Sequence, residues 1–162
     1  MPAAKKSTGK PPSRFSQKSA GRPSATPAVK AAVKKSKQPE REDAFHSLRA
    51  MLAEFAPLFD VATDTAARYT LVTRGHVWRG GPMFFAEVRA GKVYASFHIM
   101  ALYLEPSLEA VSPQLARRKQ GKTCFNFNKT VPPDLLDELR EVTRRGIQLY
   151  TDRYPGWQKP DA

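Results

Sequence analysis

One cysteine stands among the 162 residues, no acidic residue precedes Glu40, and no apolar run reaches the length of a membrane span. Each shortage excludes something. A single thiol, Cys124, cannot form an internal disulfide framework or a cysteine-rich zinc site, and it suits a reducing compartment, so a cytoplasmic location is expected. Without a long apolar run, no membrane partner is expected, and the start lacks the apolar stretch of a secretory signal. The six prolines and the lysine dominance of residues 1–39 also set that stretch apart from an amphipathic targeting helix. No complete catalytic, metal or cofactor motif appears, so composition and motifs specify no cofactor.

What is present divides the chain sharply. Residues 1–39 hold ten basic residues and no acidic one, whereas residues 40–162 hold seventeen basic against fifteen acidic. The folded part therefore carries only +2 of the total charge of +12, and the high isoelectric point belongs to the start of the chain. Lys, Pro, Ala, Ser and Gly alternate there around one aromatic, Phe15, which leaves too little apolar surface to offset chain entropy. A disordered basic tail over residues 1–39 is expected, similar in composition to linker-histone tails in PAVKAAVKKSK. Its cations would attract nucleic acid without sequence preference, by counterion release.

From Glu40 the pattern becomes that of a folded domain. Glu40, Glu42 and Asp43 suit a helix N-terminus, and Phe45, Leu48, Leu52 and Phe55 follow at helical spacing until Pro57. Residues 60–74 read as one or two strands, with Tyr69-Thr-Leu-Val-Thr the clearer. The strongest local signal is a hairpin, MFFAEVR and KVYASFHIM around Ala90-Gly91. Alternation assigns Phe84, Ala86 and Val88, then Val93, Ala95, Phe97 and Ile99, to the core face. Short helices are expected at 106–111 and 112–119, the second opened by Ser112-Pro113 and stopped by Gly121. Thr123 to Phe127 reads as a strand, and a long helix from Pro132 or Pro133 carries Leu135, Leu139, Val142 and Tyr150. Packing both helical stripes on one face of one antiparallel sheet gives an α+β two-layer sandwich over residues 40–155, with 156–162 as a C-terminal tail.

The segment YASFHIMALYLEPSLEAVSPQLARRKQGKTCFNF, Tyr94 to Phe127, resembles a bacterial family of unknown function related to the YdhG-like proteins. The resemblance spans roughly residues 45–155 and rests most on Ser96-Phe-His-Ile-Met and Gln120-Gly-Lys-Thr-Cys-Phe-Asn-Phe. It implies a frataxin-like arrangement, and iron handling for some members. Frataxin-type iron binding uses a run of carboxylates along the first helix, where this chain has Glu40, Glu42, Asp43 and, further on, Glu54.

Two sets of residues are candidates for chemistry. Tyr94, Ser96 and His98 alternate along one strand and should project together; Lys122, Cys124 and Asn126 do so on another. Together they form a candidate ligand site, although a histidine satisfied at a sheet surface and a buried, inert cysteine explain the same residues. Arg117, Arg118, Lys119 and Lys122 form the one basic cluster of the folded part, a candidate anion site beside the aromatic strand Phe125-Asn-Phe127. Cations completing a helix end account for them more readily. Trp78, in the glycine-rich stretch GHVWRGGPM, is expected to cover a pocket or to close the sandwich edge. The leading functional expectation is a non-enzymatic module for a small ligand or polyanion. An enzyme using Cys124 or His98 and a frataxin-like iron-binding protein are the alternatives, separated by the Cys124 to His98 distance and by whether carboxylates converge.

Overall fold

A computed structural model describes residues 27–75 and 77–159, with side chains from residue 39 onward. Helix α1 (Pro27–Ala53) leads through a 3₁₀ turn at Ala56–Leu58 into strands β1 (Asp60–Thr65), β2 (Arg68–Val72), β3 (Phe84–Ala90) and β4 (Ala95–Ile99). A short helix α2 (Ala101–Leu104), a 3₁₀ turn at Pro106–Glu109 and helix α3 (Pro113–Ala116) follow. Strands β5 (Lys119–Gln120) and β6 (Cys124–Phe127) then complete the sheet, and α4 (Pro133–Arg153) closes the fold. The six strands lie in the order β1-β2-β3-β4-β6-β5, every neighbour antiparallel. Among the described residues no helix is long and apolar enough to cross a membrane.

The architecture is the expected α+β sandwich, with α1 packed on β3 and β4 and against α4. Period-two alternation sends Tyr69, Leu71, Val88, Ala95, Phe97, Ile99, Phe125 and Phe127 into the layer between sheet and helices. From α1 come Ala44, Phe45, Leu48, Met51 and Leu52; from α4 come Leu135, Leu139, Val142 and Tyr150. Each large side chain withdrawn from water there contributes on the order of 1.5–3 kcal/mol. Pro133 opens α4, where its missing N–H costs no intrahelical bond. Ser112 Oγ caps α3 by accepting from the Leu115 N–H at 3.2 Å, as its place before Pro113 implies.

Several boundaries depart from the sequence pattern, each for a local reason. The first helix begins at Pro27 rather than Glu40 and runs through Pro39, over Ala- and Lys-rich residues of high helix propensity. Of the tail expected over residues 1–39, residues 1–26 lie outside the described residues. Val93 is not a core residue: β4 starts at Ala95, the Gly91 N–H donates to the Tyr94 carbonyl at 2.8 Å to close the turn, and Val93 is 61% exposed. Phe84 is not on the core face either. The β2/β3 register shifts between Leu71↔Ala86 and Val72↔Phe84, so a bulge at Phe85 turns that ring inward, fully buried, and leaves Phe84 on the outer face. The helix expected to reach Lys119 stops at Ala116, because Lys119 and Gln120 pair with β6 as an edge strand.

The segment expected as a C-terminal tail is tied into the domain. Trp157 is buried, its ring 4.8 Å from that of Phe59 and 6.2 Å from that of Tyr150. Its carbonyl accepts from the Gly75 N–H at 2.8 Å. A Cβ on Gly75 would lie 2.1 Å from the Gly156 carbonyl oxygen, so only glycine allows the two backbones to cross this closely.

Candidate functional site

With its inner face under the helices, the sheet places its polar residues on the other face. There β3, β4 and β6 align Glu87 with His98, His98 with Cys124, and Ser96 with Asn126. Ser96 Oγ donates to Asn126 Oδ1 at 2.7 Å, and Asn126 Nδ2 donates to Gln120 Oε1 on the edge strand. Glu87 accepts from Thr70 Oγ1 at 3.0 Å and pairs with Arg68 at 3.2 Å. His98, Cys124, Ser96 and Asn126 are all half-buried.

Cys124 is therefore not the buried core thiol expected from its strand position, being only half-buried. Its Sγ lies 3.2 Å from His98 Nδ1, and the other ring nitrogen, Nε2, lies 3.1 Å from Thr123 Oγ1. The edge of the Phe84 ring meets the His98 ring at 5.2 Å and 89°, fixing the imidazole plane. Burial pushes the His98 pKa below its usual range, against a smaller opposing pull from the Glu87 carboxylate. The imidazole is thus held neutral at neutral pH.

The basic cluster converges with part of the first set. Tyr94, Arg117, Arg118, Lys119, Gln120, Asn126 and Asn128 line one cavity of about 320 Å³. None of these residues is acidic. Lys119 is engaged by Glu109, and the Arg118 guanidinium lies 6.0 Å from the Phe127 ring centroid. Among the described residues neither Arg117 nor Arg118 has an ion-pair partner, and Arg117 is exposed. The same two arginines also line a second cavity of about 450 Å³ with Gln114, Pro132 and Leu135. The two cavities therefore share Arg117 and Arg118 in their linings, and the first of them also takes in Lys119 and Gln120 of the edge strand β5.

Three candidates are placed otherwise than expected. Lys122 does not join Cys124 and Asn126, because it sits in the turn before β6 with its ammonium 5.4 Å from the centroid of the Tyr103 ring. Tyr94 lies in the turn before β4 rather than on the strand with Ser96 and His98, which is what frees its ring to line the first cavity. Trp78 does not close the core; it is 52% exposed with the Arg79 guanidinium 5.8 Å from its ring. Sequence reading missed Thr123, Gln120 and Asn128. Only the pairing of β5 with β6 would have placed Gln120 beside Cys124 and Asn126.

No group of three or more metal-ligating side chains comes together among the described residues. A hollow of about 410 Å³ beside α1 is spanned by Arg49, which grips Asp64 through both carboxylate oxygens at 2.7 Å. Compared with family models, curated proteins and solved structures, the chain gives no match.

Proposed function

We propose that the protein is a binding module for single-stranded nucleic acid, with the groove around Arg117 and Arg118 as the contact surface of its folded domain. The observation that carries this reading is the shared lining: two cavities have in common two arginines that have no ion-pair partner among the described residues, and no carboxylate lines either. A point anion needs one hollow, whereas successive phosphates of a strand need a continuous cationic track. Tyr94, partly exposed at one end, offers a ring on which a base stacks, and the amides of Gln120, Asn126 and Asn128 offer donors and acceptors to base edges or phosphates.

The ten cations of residues 1–39 add attraction that acts over the screening length and carries no sequence information. Sequence-tolerant binding follows, since stacking and phosphate contacts favour no base strongly. The test uses two polyanions, a labelled oligothymidylate and inorganic polyphosphate of similar charge. Tyr94→Ala should weaken the oligonucleotide by the loss of one stacked base, about 1–3 kcal/mol, and leave polyphosphate affinity unchanged. Equal weakening of both ligands, or of neither, would contradict a stacking role for Tyr94.

A further inference from the structure

Cys124, His98 and Thr123 have the geometry of a nucleophile, a base and a group that orients the base. The thiol sulfur is 3.2 Å from Nδ1 of His98, and Nε2 of the same ring is 3.1 Å from Thr123 Oγ1. In the one tautomer that satisfies both contacts and leaves Nδ1 free to accept, the S–H donates to Nδ1 and the Nε2–H donates to Thr123 Oγ1. Phe84 packs its edge on the ring and limits its rotation. Cys124 and His98 are each only partly buried, on the sheet face away from the helices, so the pair is not sealed inside the core.

The surroundings select among thiol reactions. Acyl transfer needs free N–H donors where an oxyanion develops. Strand β6, however, is paired with β4 on one side and β5 on the other, and the Asn126 N–H donates to the Arg118 carbonyl. Exchange with a disulfide creates no oxyanion and asks only for a thiolate, a proton acceptor and access. We infer that Cys124 is a thiol–disulfide exchange site, activated by His98 as general base and positioned by Thr123, that takes up a small disulfide as a mixed disulfide.

The step balances without another reactant. The Cys124 S–H proton passes to His98 Nδ1 as the sulfur electron pair forms a bond to the nearer sulfur of the disulfide. The original S–S bond breaks, its electron pair leaves with the far sulfur, and that thiolate takes the proton back from the imidazolium. One thiol and one disulfide are consumed, and one mixed disulfide and one thiol are formed. Since Cys124 is the sole cysteine of the chain, no internal thiol resolves the adduct, which persists until a thiol from solution attacks it. This inference is independent of nucleic-acid binding, because it uses neither arginine nor Tyr94.

The test follows the reaction of the full-length protein with 4,4′-dithiodipyridine, a neutral chromogenic disulfide, at pH 7, with Cys124→Ser as the blank. The folded protein should react faster than the same chain unfolded in urea, and His98→Gln should slow the folded protein by about tenfold or more, the lower range for loss of a general base. Thr123→Val should slow it and Thr123→Ser should restore it, a pattern that serves as the test if His98→Gln fails to fold. A folded rate at or below that of the unfolded thiol would overturn the inference. So would wild-type reactivity in a folded His98→Gln protein, or equal rates for the valine and serine variants.

Discussion

The Tyr150 hydroxyl donates a 2.7 Å hydrogen bond to the carbonyl of Phe84, joining the end of α4 to the strand that carries the bulge. The bond links core to site. Phe85, the next residue, turns inward to meet the Tyr150 ring edge-on at 5.1 Å, while Phe84 turns outward against His98. Burial, with a smaller contribution from Tyr154, raises the Tyr150 pKa far above the ordinary phenol range, so this donor stays protonated throughout the working pH range.

Tyr150→Phe keeps the ring and removes the donor, leaving a carbonyl at the bulge without it. The expected loss of stability is about 1–3 kcal/mol by urea denaturation, the cost of an unsatisfied buried group. Because Phe84 then loosens, the Cys124 thiol should also react more slowly with disulfide. A stability unchanged from wild type would show that the bond to Phe84 is not part of what holds the bulge.

The bulge itself predicts an asymmetry between adjacent residues. Phe85→Ala empties a fully buried site and should cost about 3–5 kcal/mol, whereas Phe84→Ala removes an only partly buried ring and should cost well under that. Denaturation midpoints of the two variants decide it, and the reverse order would mean that the register has no bulge.

Gly146 lies on α4 where that helix meets α2 and the sheet. A Cβ there would stand 2.9 Å from Ala101 Cβ and 3.3 Å from Ile99 Cδ1. Gly146→Ala gains about 1 kcal/mol in helix propensity but overpacks a site whose nearest neighbour cannot rotate away, at about 1–3 kcal/mol. The melting temperature should fall; a rise would mean that α4 stands farther from α2 than these distances allow.

The depressed pKa of His98 makes a statement about pH. Its folded-state value lies below the unfolded value of 6.5, so the native state binds fewer protons between the two. The neutral ring's contribution is fully present above the unfolded value and is lost as pH falls through the folded one. Relative to His98→Gln, wild-type stability should therefore decline as the solution is acidified from about pH 7.5 to about pH 5. Parallel stability curves for the two proteins would contradict the assignment of a buried neutral imidazole.

Much of this was legible in the residues themselves. Period-two alternation identified Ala95, Phe97 and Ile99 as core, and set His98 on one strand and Cys124 with Asn126 on another as candidates for a shared site, because one face of the sheet is buried and fixes the register. The outward position of Phe84 was not legible, since a bulge adds one residue and reverses the alternation without any marker in Met83-Phe-Phe-Ala86. Nor was the burial of Trp157, which depends on the close crossing at Gly75, or the 3.2 Å approach of His98 to Cys124, which depends on the pairing of β4 with β6. The basic cluster was visible as composition. Its juxtaposition with Tyr94 and Asn126 required the edge strand β5, too short to leave a periodic signal.

The groove between Arg117, Arg118 and Tyr94 is most directly tested by a salt series of anisotropy titrations with a labelled oligothymidylate, comparing the full-length protein with its Arg117→Ala/Arg118→Ala variant. Neutralising phosphates on a single strand contributes about 0.7 to the slope of log affinity against log salt for each contact. The variant should therefore bind more weakly, with a slope shallower by about 1.4, while the cations of residues 1–39 leave a residual salt dependence in both proteins. Identical affinities and identical slopes would place all the attraction in residues 1–39 and contradict a nucleic-acid groove on the folded domain.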